Sequence, residues 1–160
     1  MLYRIGSGID FHQLVEGREL WIGGIKISHK KGALGHSDAD VLIHAICDAL
    51  LGAACLGDIG IHFPNTAEEF KNIQSRILLE RTVELIKRES YRVVNIDSTV
   101  CAEEPKIKPY SGEMQKLIAG ITGVTMNDVS IKATTTEKMG FIGREEGIAA
   151  YATVLLQKTS

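Results

Sequence analysis

The sequence has few cysteines, and their number argues against a disulfide framework. Only three of its 160 residues are cysteine, at positions 47, 55 and 101. An odd number of cysteines in apolar surroundings is typical of buried, reduced thiols rather than of disulfides or a thiolate metal cluster. We therefore expect Cys47, Cys55 and Cys101 to pack in the core.

The sequence also lacks an excess of one charge and a long apolar run. Its 18 basic and 20 acidic residues give a formal net charge of −2, so no broad positive surface is available for nucleic acid. No apolar stretch approaches the roughly 20 residues that cross a bilayer, and no charged leader precedes an apolar segment. We expect a soluble cytoplasmic protein that binds neither nucleic acid nor a membrane.

The composition that remains is that of one folded unit. A chain of 160 residues that is 44% apolar can bury one continuous core and is too short for two comfortable domains. No repeat or linker divides the sequence. We expect residues 1–160 to form a single domain.

Apolar periodicity predicts both strands and helices. Alternation predicts that residues 2–9 and 20–27 pair as a hairpin. Helical spacing predicts one helix that is capped by Ser37 or Asp38 and ends near Gly57. A second helix is expected at 68–89. A β-α-β unit follows, with strands at 92–101 and 129–135 and a helix at 111–123. A last strand is expected at 147–157, paired through the turn 140–143. The pattern predicts an α+β fold with a mixed β-sheet and helices packed on one face.

Three residues near the amino end have the types and spacing of metal ligands. Asp10 and His12 lie two residues apart in a predicted strand, so both side chains project from one face. His44 lies among apolar residues of the first predicted helix and needs a polar partner there. Two histidines and a carboxylate are typical of a catalytic Zn²⁺ site with one open position, and Asp40 and Asp48, each four residues from His44, could orient its ring.

A simpler interpretation of the same residues stays open at this point. Asp10 could cap its own turn at the end of the strand, and His44 could be a core histidine satisfied by protein atoms. The D-x-H pattern is short and common, so spacing alone does not decide between the two interpretations.

Several motifs follow one another along the chain in a fixed order. They lie at residues 8–12, 35–45, 48–54, 57–60, 63–64, 105–106, 132–138 and 140–144. A D-x-H motif, a GDIG turn and an ATTTEK run in this order resemble the 2-C-methyl-D-erythritol 2,4-cyclodiphosphate synthase family. The resemblance covers essentially the whole chain.

The resemblance implies a reaction and an assembly. The substrate would be 4-diphosphocytidyl-2-C-methyl-D-erythritol 2-phosphate, which a phosphorus–oxygen lyase of the non-mevalonate isoprenoid route converts to the cyclic diphosphate and CMP. The protein would be a homotrimer with active sites between subunits and an isoprenoid diphosphate in the trimer core. One divalent ion, expected to be Zn²⁺, would bind Asp10, His12 and His44, and a Mg²⁺ or Mn²⁺ ion bridging the substrate diphosphate would face Glu137.

The resemblance also assigns roles to individual residues. It places transition-state stabilisation at His36 and Thr135. Substrate contacts are implied at Asp10, His12, His36, Ser37, Asp58, Ile59, Gly60, Phe63, Pro64, Asn65, Thr66, Ala67, Ala102, Pro105, Lys106, Ile107, Lys108, Ala133, Thr134, Thr135, Thr136, Glu137, Phe141 and Arg144. Within this set, backbone groups near Pro105 and Lys106 would read the cytosine, and Phe141 and Arg144 would lie near the trimer axis.

Some of these residues also have simpler interpretations. His36 could only precede the helix cap, Asp58 could form a turn with Gly57, and the threonines at 134–136 could reflect strand propensity. Arg144 could pair with Glu145 or Glu146 on the surface. Asn65 stands where many members of the family carry aspartate.

Two other functions compete with the synthase reaction. A zinc hydrolase could use Asp10, His12 and His44 to activate water. A non-catalytic trimer could bind nucleotides or isoprenoid diphosphates to regulate another process. Ring closure, as opposed to release of phosphate, distinguishes the synthase from the hydrolase.

Overall fold

The computed structural model describes residues 2–159. The strands are β1 (Tyr3–Glu16), β2 (Leu20–Ile22), β3 (Ile25–Ile27), β4 (Lys31–Ala33), β5 (Tyr91–Cys101), β6 (Val129–Thr134) and β7 (Gly147–Lys158). The α-helices are α1 (Val41–Ala53), α2 (Ile59–His62), α3 (Ser75–Arg88), α4 (Ser111–Thr122) and α5 (Gly140–Gly143). Short 3₁₀ helices span Glu68–Phe70, Lys108–Tyr110 and Met126–Asp128.

Five strands form one mixed sheet in the order β4-β1-β7-β5-β6. Strand β7 is antiparallel to both β1 and β5, whereas β5 and β6 are parallel. The parallel pair is connected through α4, as the predicted β-α-β unit requires. Strands β2 and β3 form a separate two-stranded sheet. The predicted α+β class with a mixed sheet is confirmed.

The helices cover one face of this sheet. Helix α1 packs on β1 and β7, while α3 contacts β5 and α4 contacts β6. Helix α1 lies very close to β1. A Cβ atom added to Gly8 would be only 2.0 Å from the carbonyl oxygen of Ala45, so only glycine fits at this position. Among the described residues, the opposite face is not covered by α1, α3 or α4 and exposes large apolar side chains, among them Ile5, Phe11 and Tyr151.

The predicted pairing of two strands is wrong. Residues 2–9 do not form a hairpin with 20–27: β1 continues to Glu16 and pairs with β7 and β4. The segment 20–27 instead folds on itself as β2 and β3, because Gly23 and Gly24 take positive φ values of 63° and 77° and reverse the chain. Strand β7 lies between β1 and β5 and does not pair back across the turn 140–143, which is the short helix α5.

Two predicted helix boundaries are also wrong. Helix α1 is capped by Asp40 rather than Ser37 or Asp38, since the Asp40 side chain accepts from the backbone N–H of Ile43 at 3.0 Å, and the helix ends at Ala53. The helix expected over 68–89 is divided, because Asn72 takes a left-handed φ of 58° between the 3₁₀ turn and α3.

The cysteines do not all behave as the sequence predicts. Cys47 and Cys101 are buried and free, as expected, but Cys55 is exposed beyond the end of α1. Its Sγ atom accepts a hydrogen bond from the Arg4 guanidinium at 3.6 Å. Within residues 2–159, none of the helices has both the length and the apolar character needed to span a membrane.

Candidate functional site

Asp10, His12 and His44 meet at the junction of β1 and α1. The Asp10 Oδ2 atom lies 2.9 Å from His12 Nε2 and 3.1 Å from His44 Nδ1. The two ring nitrogens are themselves 3.1 Å apart. The predicted convergence of these three side chains is therefore confirmed, and it arises because the close approach of α1 to β1 brings His44 over the strand.

The triangle of donor atoms has the size that a small divalent ion requires. Three points about 3 Å apart lie about 1.7 Å from their common centre, so an ion at about 2.0–2.1 Å from each donor fits just outside their plane. An ion in that position would keep one tetrahedral vertex open toward the cavity. The donor set suits Zn²⁺ and also accommodates other divalent transition metals.

The outward nitrogen of each ring is held by the protein. His12 Nδ1 lies 3.0 Å from the carbonyl oxygen of Leu34 and must donate to it. His44 Nε2 lies 2.9 Å from Ser75 Oγ and 3.2 Å from Ser37 Oγ. Both rings can therefore direct an unprotonated nitrogen toward Asp10, which is the tautomer that a metal ligand needs.

The charges in this cluster reinforce one another. Burial raises the pKa of Asp10, but hydrogen bonds and charge interactions with His12 and His44 outweigh burial and hold that pKa well below its usual range. Burial lowers the pKa of His12, but the hydrogen bond and charge of Asp10 more than offset it, so this pKa is raised. The Asp10 carboxylate therefore stays ionised at neutral pH, which is the form that a metal ligand requires.

The predicted orienting roles of Asp40 and Asp48 are wrong. Asp40 is fully buried and accepts from the backbone N–H groups of Gly23, Gly24 and Ile43. The Asp48 carboxylate accepts from the N–H of Ile59 at 2.8 Å. Burial raises the pKa of both carboxyl groups, and each is used to fix the backbone rather than the His44 ring.

The partner of His44 that the sequence did not reveal is Ser75. It is fully buried at the first position of α3, thirty-one residues from His44. Its hydroxyl donates to the carboxylate of Asp38, and its N–H donates to the same carboxylate at 2.9 Å. A serine at the start of an apolar helix is common for reasons of local structure, so nothing in the sequence indicates the contact between Ser75 and His44.

A cavity of about 210 Å³ opens beside the three potential ligands. The walls are formed by Asp10, His12, Gly35, His36, Ser37, His44, Ile59, Gly60, Phe63, Asn65, Phe70, Ile73 and Leu78. The structure thus brings six more of the expected substrate contacts to the metal site, namely His36, Ser37, Ile59, Gly60, Phe63 and Asn65. The His36 Nε2 atom is buried without a hydrogen-bond partner among the described residues.

Other expected contacts lie along the segment that closes this cavity. The Asp58 carboxylate caps α2 by accepting from the N–H of Ile61 at 3.2 Å, so the turn interpretation describes its local role. Pro64 accepts from the N–H of Ala67 at 3.0 Å, which closes a turn around Asn65 and Thr66. His36 does not cap α1, because the cap is Asp40.

A second group of expected contacts forms a separate cleft of about 440 Å³. The cleft is lined by Ile107, Lys108, Ser111, Ile131, Lys132 and Ala133. Ala102 bonds to β6 through its N–H and the carbonyl oxygen of Thr134 at 3.0 Å. The Lys106 ammonium donates to the Glu103 carbonyl oxygen at 3.2 Å and pairs with the Glu104 carboxylate at 3.4 Å, beside Pro105.

Glu103 organises the loop that follows β6. Its buried carboxylate accepts from the N–H groups of Thr136 and Lys138, each at 3.1 Å, and pairs with the Lys138 ammonium at 3.2 Å. Glu137 and Lys138 both have left-handed φ values, 53° and 65°. Burial raises the pKa of Glu103, but the Lys138 bonds outweigh it and lower that pKa. Thr135 donates to Glu137 at 3.1 Å in the same loop.

The two groups are far apart within one chain. The strand registers align Asp10 with Ala150, Ala150 with Val100, and Val100 with Ala133. Asp10 and Ala133 are therefore separated by three strand spacings, or about 14 Å. Thr135 follows Ala133 by two residues, in the loop after β6, which is the edge strand three positions away from β1.

A third group lies at the edge of the exposed sheet face. The Phe141 ring packs edge-on against Phe11, with centroids 6.1 Å apart, beside a cavity of about 370 Å³. Arg144 forms a two-pronged ion pair with Glu146, at 2.9 and 3.0 Å. The surface-pairing interpretation thus describes Arg144 in this structure.

Comparisons with known proteins agree with this arrangement. The YgbB family model matches residues 3–157. A protein of Bacteroides thetaiotaomicron named 2-C-methyl-D-erythritol 2,4-cyclodiphosphate synthase is 65% identical, with 99% of each chain covered. A Porphyromonas gingivalis protein of the same name is 57% identical, with 96% of this chain and 95% of the relative covered.

Solved structures show the same fold. The bifunctional IspDF of Campylobacter jejuni matches with a TM-score of 0.95 at 41% identity, covering 99% of this chain and 43% of that one. A CDP complex of IspF from Plasmodium falciparum matches with a TM-score of 0.86 at 34% identity, covering 99% of this chain and 97% of that one. Because the family model and the curated relatives agree with the motif resemblance, the chain belongs to the YgbB family of 2-C-methyl-D-erythritol 2,4-cyclodiphosphate synthases.

Proposed function

We propose that this chain converts 4-diphosphocytidyl-2-C-methyl-D-erythritol 2-phosphate to 2-C-methyl-D-erythritol 2,4-cyclodiphosphate and CMP, in the non-mevalonate route to isoprenoids. The observation that carries the proposal is the meeting of Asp10, His12 and His44 in a cavity that also holds the unpartnered ring nitrogen of His36. The name shared by the curated relatives supplies the reaction. The CDP in the Plasmodium falciparum complex supports a nucleotide diphosphate as substrate.

The reaction requires two anionic groups of one molecule to approach each other. The 2-phosphate attacks the β-phosphorus, the new P–O bond closes the ring, and the bond to the CMP oxygen breaks. Two unit charges 4 Å apart repel by about 4 kcal/mol at an effective dielectric constant of 20. A divalent ion held by Asp10, His12 and His44 would offset this repulsion and polarise the attacked phosphate.

The protein side chains supply positioning and further charge stabilisation. His36 can donate from its free ring nitrogen to a phosphate oxygen that gains charge as the ring closes. The Thr135 hydroxyl serves the same purpose from the opposite side of the site. Because the nucleophile is an ionised phosphate oxygen, no strong general base is needed, and orientation dominates the rate enhancement.

The active site is completed by a neighbouring subunit of a homotrimer. Two observations support this: about 14 Å separates Asp10 from Ala133 within one chain, and the sheet face opposite α1 exposes large apolar side chains. These side chains include Ile5, which is 74% exposed, and Ile9, Phe11 and Tyr151. Apolar patches of this kind on soluble proteins are typical of subunit interfaces.

Further expectations belong to the same proposal. Asp10, His12 and His44 would hold Zn²⁺, and Glu137 would face a Mg²⁺ or Mn²⁺ ion that neutralises the substrate diphosphate. The segment 102–108 reads the cytosine through backbone groups. An isoprenoid diphosphate binds in the trimer core near Phe141 and Arg144. The protein acts in the cytoplasm as one domain over residues 1–160.

Product analysis tests the reaction. Purified protein supplied with substrate, Zn²⁺ and Mg²⁺ should yield the cyclic diphosphate and CMP by mass spectrometry. Chelation should abolish turnover while far-ultraviolet circular dichroism is retained, because the core does not depend on the ion. His44→Ala should be inactive and His29→Ala, which changes a histidine outside the site, should be active. Release of free phosphate would identify a hydrolase, and CMP release unchanged by His44→Ala would refute the role of the triad.

Subunit complementation tests the shared site. His44→Ala should be inactive and Thr135→Ala should have a much lower kcat, yet refolding the two together should regenerate some intact sites. Random mixing would restore about a quarter of the interfaces, since each needs one intact contribution from each neighbour. No recovered activity in mixed trimers would place both residues in the site of one chain.

A further inference from the structure

Two residues behind His44 form a hydrogen-bonded chain that leads away from the cavity. His44 Nε2 lies 2.9 Å from the hydroxyl oxygen of Ser75, and that hydroxyl donates to the carboxylate of Asp38. Asp38 is half-buried, and Ser75 and His44 are buried. Neither Asp38 nor Ser75 lines the cavity beside the triad, so neither is placed to touch substrate there.

The direction of these hydrogen bonds follows from the donors available. A carboxylate that is ionised only accepts, so the single hydroxyl proton of Ser75 must point to Asp38. The Ser75 oxygen can then only accept from His44, which requires the proton of the His44 ring to be on Nε2. The other nitrogen, Nδ1, is left with its lone pair directed at Asp10 Oδ2 and His12 Nε2.

We propose that Asp38 and Ser75 are positioning residues that fix the tautomer and ring orientation of His44 as a metal ligand. This inference rests on the proposed function, because it assumes that the triad holds an ion. When a carboxylate accepts a hydrogen bond from the nitrogen of a ligating histidine that faces away from the metal, it makes the histidine more basic and restrains the ring. Loss of such a carboxylate typically weakens metal binding by about 10–100-fold. Here the hydroxyl of Ser75 transmits the effect of the carboxylate.

The backbone explains why Ser75 can be replaced without loss of the helix. The N–H of Ser75 also donates to Asp38, at 2.9 Å, and this bond anchors the start of α3. Ser75→Ala removes the hydroxyl and retains that backbone bond, so it separates the effect on His44 from the effect on the helix. Asp38→Asn keeps the volume but removes the negative charge and one acceptor.

Metal affinity, measured with Zn²⁺ against a competing chelator, is the first test. Ser75→Ala and Asp38→Asn should each weaken Zn²⁺ binding by about 10–100-fold. The double variant should bind Zn²⁺ no more weakly than Ser75→Ala alone, because the carboxylate acts through the hydroxyl. Ser98→Ala is the matched control, since Ser98 is also a buried serine and its hydroxyl donates to the Ser130 carbonyl oxygen, away from the site. Additive losses, or an unchanged affinity, would overturn the proposal.

The tautomer itself is the second test and needs neither metal nor turnover. In metal-free protein, nitrogen-15 NMR should show the His44 proton on Nε2, and Ser75→Ala should give a mixture of tautomers. A His44 ring protonated on Nδ1 in the parent protein would refute the assignment. Because this measurement does not involve substrate, failure of the synthase reaction would leave its outcome unaffected, and the two hypotheses fail separately.

Discussion

Replacement of Gly8 by alanine should destabilise the protein and disturb the metal site together. A Cβ at this position would lie 2.0 Å from the carbonyl oxygen of Ala45 and 2.8 Å from the N–H nitrogen of Ala49, and ordinary contact begins near 3.4 Å. Both obstacles are backbone atoms of α1, so the helix must move away from β1 by about 1 Å. Overpacking of this kind typically costs 1–3 kcal/mol, and we expect about 3 kcal/mol because no flexible side chain can yield.

The same displacement acts on the ligands. Asp10 follows Gly8 on β1, and His44 precedes Ala45 on α1, so separating the two elements lengthens the 3.1 Å contact between Asp10 Oδ2 and His44 Nδ1. Zn²⁺ affinity should therefore fall along with stability. Urea denaturation at a fixed protein concentration, with and without Zn²⁺, measures both effects.

Gly120→Ala is the matched control for this experiment. Gly120 lies in α4, and a Cβ there would meet no atom within 4 Å. Alanine should stabilise the helix by up to about 1 kcal/mol, because glycine has the greater conformational freedom to lose. If Gly8→Ala unfolded within about 0.5 kcal/mol of the parent protein, the close packing of α1 on β1 would not be a determinant of stability.

Three further predictions follow from individual contacts. Burial raises the pKa of the Cys47 thiol to about 12, so the folded state retains a proton that the unfolded chain loses near pH 9. The free energy of unfolding should therefore fall as pH rises from about 9 toward 12. In urea titrations at several pH values, Cys47→Ala should make this fall of the unfolding free energy with pH less steep. Thr135→Ala should lower kcat more than it raises KM, because its hydrogen bond strengthens as the ring closes; equal effects in steady-state kinetics would indicate ground-state binding. Glu103→Ala should lower kcat while Glu104→Gln does not, because only Glu103 holds the loop of Thr135 and Glu137 through backbone N–H groups; equal rates for the two variants would contradict that role.

Local sequence signals predicted the elements better than their partners. The β-branched segment at 92–101 and the apolar period of α4 identify their elements correctly, to within about one residue. The partner of β1 was wrong because alternation shows which side chains share a face and carries no information about which strand lies alongside. The division of the helix expected over 68–89 depends on the left-handed Asn72, which helical periodicity does not reveal.

The sequence by itself predicted that Asp10, His12 and His44 converge as a potential cation site, from two residue types two apart on a strand, one histidine in an apolar helix and the motif resemblance, and the structure brings the three side chains together. Only the tertiary structure decided what orients His44, because Ser75 and Asp38 are brought behind its ring by the packing of α3 against α1. It also decided that Asp40 and Asp48 accept hydrogen bonds from the backbone N–H groups of Gly23 and Ile59 instead, which are distant in sequence. Contacts between distant segments depend on how elements pack in three dimensions, and no local pattern encodes that.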